Sequence, residues 1–229
     1  MQTGDQSNVG TTNWGLNMRK AFEIGGAVAA VVLIAFGVAA IVIGANGRTT
    51  VRDNLIEQKI VGTPDMTPAA IKGEAAKAGL TGVPIPRCSV AGQAVDNGSR
   101  ARCFAQYMKI HALEATNGAL YSQMPHYATA NGAGTNEEGK ALKDPKGQPV
   151  NNPAREVWVQ ETALSTALNT SYMAEQISLF GIVVGVALLL SGVGFAILSI
   201  GGALRSRESV ALSLASRGQV RGTPRTAER

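Results

Sequence analysis

The sequence predicts an all-α membrane protein with two transmembrane helices, extended by juxtamembrane helices, and a small helical domain between them. Two uncharged apolar stretches support this fold class, Ile24 to Ile43 and Ile177 to Leu204. At a rise of about 1.5 Å per residue they span roughly 30 Å and up to roughly 42 Å, enough to cross a hydrocarbon core of about 30 Å. The segment between them is polar, so the 45% hydrophobic composition is concentrated in two blocks.

These two stretches divide the chain. The first is preceded by Arg19 and Lys20 but is longer than the 7–15 residues of a signal-peptide core, so we interpret it as an uncleaved anchor. Residues 1–18 are polar and lack periodicity, so we expect them to be disordered. The predicted segments are a cytoplasmic N-terminus at 1–20, a first transmembrane helix at 21–44, an extracytoplasmic helical domain at 45–176, a second transmembrane helix at 177–204 and a basic cytoplasmic tail at 205–229.

The positive charge of the chain predicts its orientation. The net charge of +5 resides mostly in the tail, whereas the central segment is nearly balanced. Because Lys and Arg accumulate in cytoplasmic loops, we expect both termini in the cytoplasm and the central domain outside, although Arg48 and Arg52 follow the first span and oppose this assignment. The expected location is the cell membrane.

The arginines of the tail have two interpretations. Lipid-headgroup contact is favoured, since each basic side chain near an anionic surface contributes on the order of 1 kcal/mol. Nucleic-acid binding is disfavoured because the tail contains no aromatic residue. The arginines closest to the span, for which we expect headgroup contact, are Arg205, Arg207 and Arg217.

The two cysteines, Cys88 and Cys103, both fall in the central segment. A disulfide is the preferred interpretation, because an oxidising compartment would let them pair. Two unrelated small apolar residues are the alternative. A metal site that groups them with His111 and His126 is disfavoured, since the close ligand pairs typical of zinc sites are missing, and we therefore expect no metal site.

Helical periodicity and capping residues predict the elements of the central domain. The first span continues into a stalk over Thr49 to Ile60. Thr67 as a cap, Pro68 at the first position and Gly79 as a stop predict a short helix from Pro68 to Ala78.

The strongest amphipathic pattern predicts a core helix from Ser99 to Thr116. His111 lies on its apolar face, where we expect a partly buried packing residue with one hydrogen-bond partner. Residues 118–152 show no periodicity and are interpreted as a flexible loop or, less favoured, as a segment that binds a partner.

The last predicted helix begins at Pro153, capped by Asn152, and continues without a breaker to about Leu204. Trp158 is too far from the span to sit at the membrane surface, so we expect it to pack against the stalk. Tyr172 suits a position at the interface.

Small residues recur along both spans at spacings of three, four or seven. In membranes such stripes permit close backbone approach, so we predict that the two spans pack through them, with Leu189 on a different face. The predicted packing residues are Gly26, Ala30, Gly37, Ala40 and Gly44 in the first span, and Gly181, Gly185, Gly192 and Ala196 in the second.

The layout of the chain resembles uncharacterised two-span membrane proteins of actinobacterial type. The resemblance rests on the first span, the V-R-D-N-L-I-E-Q-K-I stalk, the helix around Ala101 to Leu113 and the long helix into the second span. It covers most of the chain but includes no diagnostic motif. It implies no activity.

The sequence contains few residues arranged in a known catalytic pattern. The sequence lacks G-x-S-x-G, G-x-x-x-x-G-K-[ST] and H-E-x-x-H motifs, and the spans lack the ionisable residues that ion pathways use. We therefore expect no enzyme, no catalytic residue and no cofactor. The favoured function is an accessory or scaffold subunit, bound to the lipid bilayer and to a membrane-protein partner or a second copy. The alternative is an extracytoplasmic ligand-binding or sensing module that signals through its two helices.

Overall fold

Four α-helices make up most of the structure. The computed structural model describes residues 9–201, with side chains from Ala21 onward. Isolated β-bridges occur within these residues, but no β-strand does, and the predicted all-α class is confirmed. The helices are α1 (Val9–Glu57), α2 (Pro68–Lys77), α3 (Gly98–Ala115) and α4 (Pro153–Ile200), with short 3₁₀ turns at Tyr121–Gln123 and Glu138–Lys140.

Polar side chains start the helices α2, α3 and α4, and the sequence predicts two of them, Thr67 and Asn152. Thr67, Asn97 and Asn152 accept hydrogen bonds at 3.2, 2.9 and 3.1 Å from backbone N–H groups two or three residues later. These bonds satisfy donors that the first helical turn leaves without a partner. At its other end α2 stops at Lys77, one residue before the predicted Ala78.

Helix α1 differs from its prediction at the N-terminus. It begins at Val9, inside the segment that we expected to be disordered, and it runs through the first span and the stalk to Glu57. Helix α4 is also continuous from Pro153 to Ile200. The tail residues Arg205, Arg207 and Arg217 lie outside the described residues.

Parts of α1 and α4, Ala21–Glu57 and Pro153–Ile200, are long and apolar enough to cross a membrane. In the most apolar window of each, only 11% of the residues are buried. A core helix of a soluble protein would be mostly buried, whereas these apolar side chains face outward. The structure is therefore that of a two-span membrane protein.

The described chain forms two compact units. The span unit contains the chain up to Val42 and from Val183 on, and the central unit contains Ile43 to Ile182. The boundaries of the central unit differ from the predicted 45–176 by a few residues at each end. Each long helix contributes residues to both units.

Within the span unit, α1 and α4 touch through small residues. A Cβ atom added to Gly185 would lie 2.7 Å from the carbonyl oxygen of Gly37 and 3.0 Å from the backbone nitrogen of Ile41. A Cβ atom at Gly192 would lie 3.0 Å from the carbonyl oxygen of Ala30. The two backbones therefore approach too closely for larger side chains at these positions.

The other predicted packing residues differ in burial. Gly26, Ala30, Gly37 and Gly44 are buried, while Ala40, Gly181 and Ala196 are half-buried. In the central unit, a Cβ atom at Gly44 would lie 2.5 Å from the carbonyl oxygen of Ser178. The expectation that Leu189 lies on another face is wrong, because its backbone nitrogen would lie 2.9 Å from a Cβ atom at Gly37.

The central unit has its core around α3. Tyr107 and Ala101 are fully inaccessible on this helix, and Ile110 is 1% exposed. The neighbouring elements supply the rest of this core, which includes Leu55 of α1, Ile71 and Ala75 of α2, Met66, Val90 and Val95 of the connecting segments, and Leu168 of α4.

Trp158 does not pack against the stalk, so that prediction is wrong. Its indole lies in a second core cluster with Ala112, Leu113 and Met124. The indole N–H donates to the carbonyl oxygen of Ala119 at 2.9 Å. A buried indole needs a partner for its N–H, and the turn after α3 provides one that the sequence pattern did not reveal.

The aperiodic segment 118–152 is closed on itself by backbone hydrogen bonds. Tyr127 forms antiparallel bridges with Thr135 and with Asn151, and Lys143 forms one with Pro149. These pairings satisfy backbone groups that periodicity alone cannot assign. The segment thus returns from α3 to the start of α4 as a structured loop.

We predict that Gly185→Leu destabilises the protein, whereas Gly194→Leu in the same helix does not. A side chain at Gly185 would collide with the backbone of α1, but a Cβ atom at Gly194 has no neighbour within 4 Å. Overpacking of this kind costs about 1–3 kcal/mol. The measurement is the thermal unfolding midpoint in detergent, and equal midpoints for the two variants would contradict this packing.

Candidate functional site

Helix α3 and the irregular segment before it are linked to each other covalently. Cys88 of that segment and Cys103 of α3 form a disulfide, with Cα atoms 6.1 Å apart and a sequence separation of 15. Closing a loop of this length contributes about 3 kcal/mol to stability. The hydroxyl of Tyr107 donates to the carbonyl oxygen of Cys88 at 2.6 Å. Cys88 is therefore attached to α3 by two interactions.

A cluster of ionisable side chains lies beside α3 and is called the His111 cluster below. It contains Asp65 from the loop before α2, Glu74 from α2 and His111 from α3, and their ligand atoms all lie within 4.8 Å of one another. The Nε2 atom of His111 is 2.7 Å from Oδ2 of Asp65. His111 is half-buried with this one hydrogen-bond partner, as we predicted.

The pKa of Asp65 reflects opposing influences. Burial acts to raise this pKa, but hydrogen bonds from Thr63, from its own backbone and from His111, together with the charge of His111, hold it below its usual value. A carboxylate with a lowered pKa stabilises the fold at pH values above its pKa in the unfolded chain. It loses that contribution as the pH falls through its pKa in the folded protein. Asp65 is therefore a charged member of the cluster at neutral pH.

The pKa of Glu114, one turn after His111 on α3, is shifted in the opposite direction, above its usual value. Burial raises its pKa, and the charges of Glu74 and Asp65 raise it further, while His111 lowers it. Its Oε1 atom is buried and has no hydrogen-bond partner. A buried carboxylate oxygen without a partner is costly, so Glu114 is the least satisfied member of this region.

An apolar cavity of about 630 Å³ lies on another side of α3. Its walls combine apolar side chains with two cations, Arg87 and Lys109, and contain no acidic residue. The apolar lining comes from Val83, Pro84, Ile85, Pro86, Ile110, Leu113 and Leu120. Such a cavity suits an apolar molecule that carries an acidic group.

Glu175 joins three helices of the central unit. Its carboxylate accepts the backbone N–H of Gly98 at 2.6 Å, at the start of α3, and a guanidinium N–H of Arg48 on α1 at 3.4 Å. Negative charge is favoured at a helix N-terminus. One turn earlier on α4, the Tyr172 ring lies under the guanidinium of Arg102, at 4.7 Å.

The structure brings together some residues that the sequence singled out and separates others. The cysteines bind each other, which removes them from the metal-ligand group that we considered with His111 and His126. His111 instead faces Asp65 and Glu74, which no sequence pattern connects with it. The spacing of three residues between His111 and Glu114 was a usable signal, but the approach of Asp65 and Glu74 depends on how α2 packs against α3.

Comparisons with protein-family models, with curated proteins and with solved structures each give no match.

Removing the Tyr107 hydroxyl should destabilise the central unit. Tyr107→Phe leaves the Cys88 carbonyl oxygen without its donor, and we expect a loss of about 1 kcal/mol in unfolding free energy. Tyr121→Phe is the matched control, since this tyrosine is 44% exposed. Chemical denaturation followed by circular dichroism measures the unfolding free energy of both variants. An unfolding free energy of Tyr107→Phe equal to that of wild type would show that the hydrogen bond does not contribute to stability.

Replacing Glu114 should change the pH dependence of stability. The buffer contains EDTA and no metal. Because its pKa is raised in the folded protein, Glu114 favours the fold at pH values below its pKa in the unfolded chain, about 4.5. It loses that contribution as the pH rises through its pKa in the folded protein. Glu114→Gln imitates the protonated form, so it should be more stable than wild type at pH 7 but not at pH 4. Unfolding midpoints at both pH values test this, with the exposed Glu156→Gln as control.

Proposed function

We propose that this protein is a non-enzymatic accessory or scaffold subunit of a larger membrane assembly, located in the cell membrane. The observation that carries the proposal is the continuity of α4. This helix supplies Trp158 and Leu168 to the core of the central unit and continues without a break through an apolar span to Ile200. No linker separates the folded domain from its span, which suits a protein that presents a folded surface at the membrane.

The outer faces of the spans support a membrane partner. The small residues are used within the chain, whereas large apolar side chains such as Phe36 and Leu190 are 66% and 69% exposed. In a bilayer these side chains contact lipid or the helices of another subunit. A partner, or a second copy of this chain, would bind on these faces rather than on the small-residue stripe.

In the proposed orientation, the central unit lies outside the cytoplasm. Structural disulfides persist in oxidising compartments, and the Cys88–Cys103 bridge lies in this unit. The basic tail supports cytoplasmic termini.

A labelling experiment tests this orientation. Lys146→Cys, at an exposed position in the loop before α4, should react with a membrane-impermeant thiol reagent added to intact cells. Thr223→Cys in the tail should react only after permeabilisation. The native cysteines give little background because they are bonded to each other. Labelling of Thr223→Cys alone in intact cells would reverse the orientation.

Photocrosslinking combined with purification tests the subunit role. A photoreactive amino acid at Phe36 or Leu190 should capture a membrane protein in a fixed ratio under mild detergent. The same amino acid at Ala30, which is 3% exposed against α4, should give only intramolecular products. Identical products from all three positions, or no captured protein from the exposed ones, would count against an accessory subunit.

The second candidate function is a ligand-binding or sensing module, favoured by the apolar cavity with Arg87 and Lys109 in its wall. A fatty-acid-like amphiphile matches this chemistry. We would expect saturable binding of such a probe by wild type and its loss in Leu120→Asp. If the same protein captures no partner, these results would favour sensing over the subunit role.

A further inference from the structure

The His111 cluster and the neighbouring Glu114 together hold more acidic groups than their contacts satisfy. Asp65 pairs with His111, but neither Glu74 nor Glu114 takes part in an ion pair among the described residues. Two carboxylates therefore remain beside a pair whose only positive charge is that of a protonated imidazole. Like charges at this distance repel one another unless a cation or a proton intervenes.

The donors come from three separate parts of the fold. Asp65 precedes α2, Glu74 lies in the second turn of α2, and His111 lies on α3, yet their ligand atoms meet within 4.8 Å. Glu114 follows His111 by three residues, a spacing that places two side chains on one helix face. Its Oε1 atom is buried without a hydrogen-bond partner, so a fourth oxygen donor remains unused.

We propose that Asp65, Glu74 and His111, with Glu114 as the fourth donor, bind a divalent first-row transition-metal ion such as Zn²⁺. One imidazole nitrogen and carboxylate oxygens are ligands that zinc accepts. The ion would neutralise the carboxylates that lack a partner and satisfy the buried Oε1 atom of Glu114. It would also join α2 to α3.

The distances agree with this assignment. Ligand atoms on a tetrahedral zinc ion with bonds of about 2.1 Å lie roughly 3.4 Å apart. Among Asp65, Glu74 and His111, the observed separations include the 2.7 Å contact between His111 and Asp65 and extend to at most 4.8 Å. Glu114 lies outside this group, so its side chain would rotate toward the ion to complete the site.

The test uses the full chain in detergent without a polyhistidine tag, stripped with EDTA and titrated with Zn²⁺ against a chromophoric chelator. Wild type should bind one equivalent. His111→Gln and Glu74→Gln should bind at least tenfold more weakly, because even residues that only support metal ligands cost that much. His126→Gln is the matched control and should bind like wild type, since it alters the only other histidine of the chain.

Thermal unfolding gives an independent readout. Because a ligand that binds only the folded state stabilises it, Zn²⁺ should raise the unfolding midpoint of wild type and of His126→Gln but not of His111→Gln. If His111→Gln does not fold, Glu74→Gln, on the half-exposed surface of α2, decides the question. Less than half an equivalent of zinc in wild type, or unchanged affinity in Glu74→Gln, would overturn the proposal.

Discussion

The central unit depends on the attachment of an irregular segment to α3. Residues 81–97 contain two prolines and two glycines and form no helix or strand of their own. The disulfide fixes Cys88 to Cys103, and the Tyr107 hydroxyl fixes the carbonyl group of Cys88 one helical turn further along α3. With this segment in place, Val90 and Val95 complete the core that Leu55, Ile71 and Leu168 share.

A second constraint acts where α3 begins. Because Glu175 accepts hydrogen bonds from Gly98 and Arg48, one carboxylate of α4 contacts both α3 and α1. Gly98 is needed there, since a Cβ atom would lie 2.7 Å from the Cα atom of Tyr172. The start of α3 is thus fixed by steric contact as well as by charge.

Local signals predicted most of the fold. The spans, the caps Thr67 and Asn152 and the amphipathic face of α3 follow from periodicity and from residue types that act within one or two turns. The errors concern contacts between elements distant in sequence. Trp158 was assigned to the stalk and Leu189 to the wrong face because a single helix pattern gives the direction of a side chain but not the neighbour that it meets.

The candidate site was less predictable for the same reason. His111 was identified as a half-buried residue with one partner, but the identity of that partner, 46 positions away, depends on the packing of α2. The apolar cavity is formed by a segment without periodicity, so no sequence pattern indicates its shape. The shifts in the pKa values of Asp65 and Glu114 follow from burial and from neighbouring groups, which the sequence alone does not provide.

The buried positions of the two spans repeat every seven residues. Ala30 and Gly37 are buried on α1, and Gly185, Gly192 and Ser199 are buried on α4. A straight helix has 3.6 residues per turn and drifts from a seven-residue repeat by about 20° each time, so contacts at this repeat favour coiling of the two helices around each other in a left-handed sense. A single residue inserted within either span would rotate the following small residues by about 100° and place bulky side chains against the opposing backbone. The length of each span between these contacts is therefore as constrained as its composition.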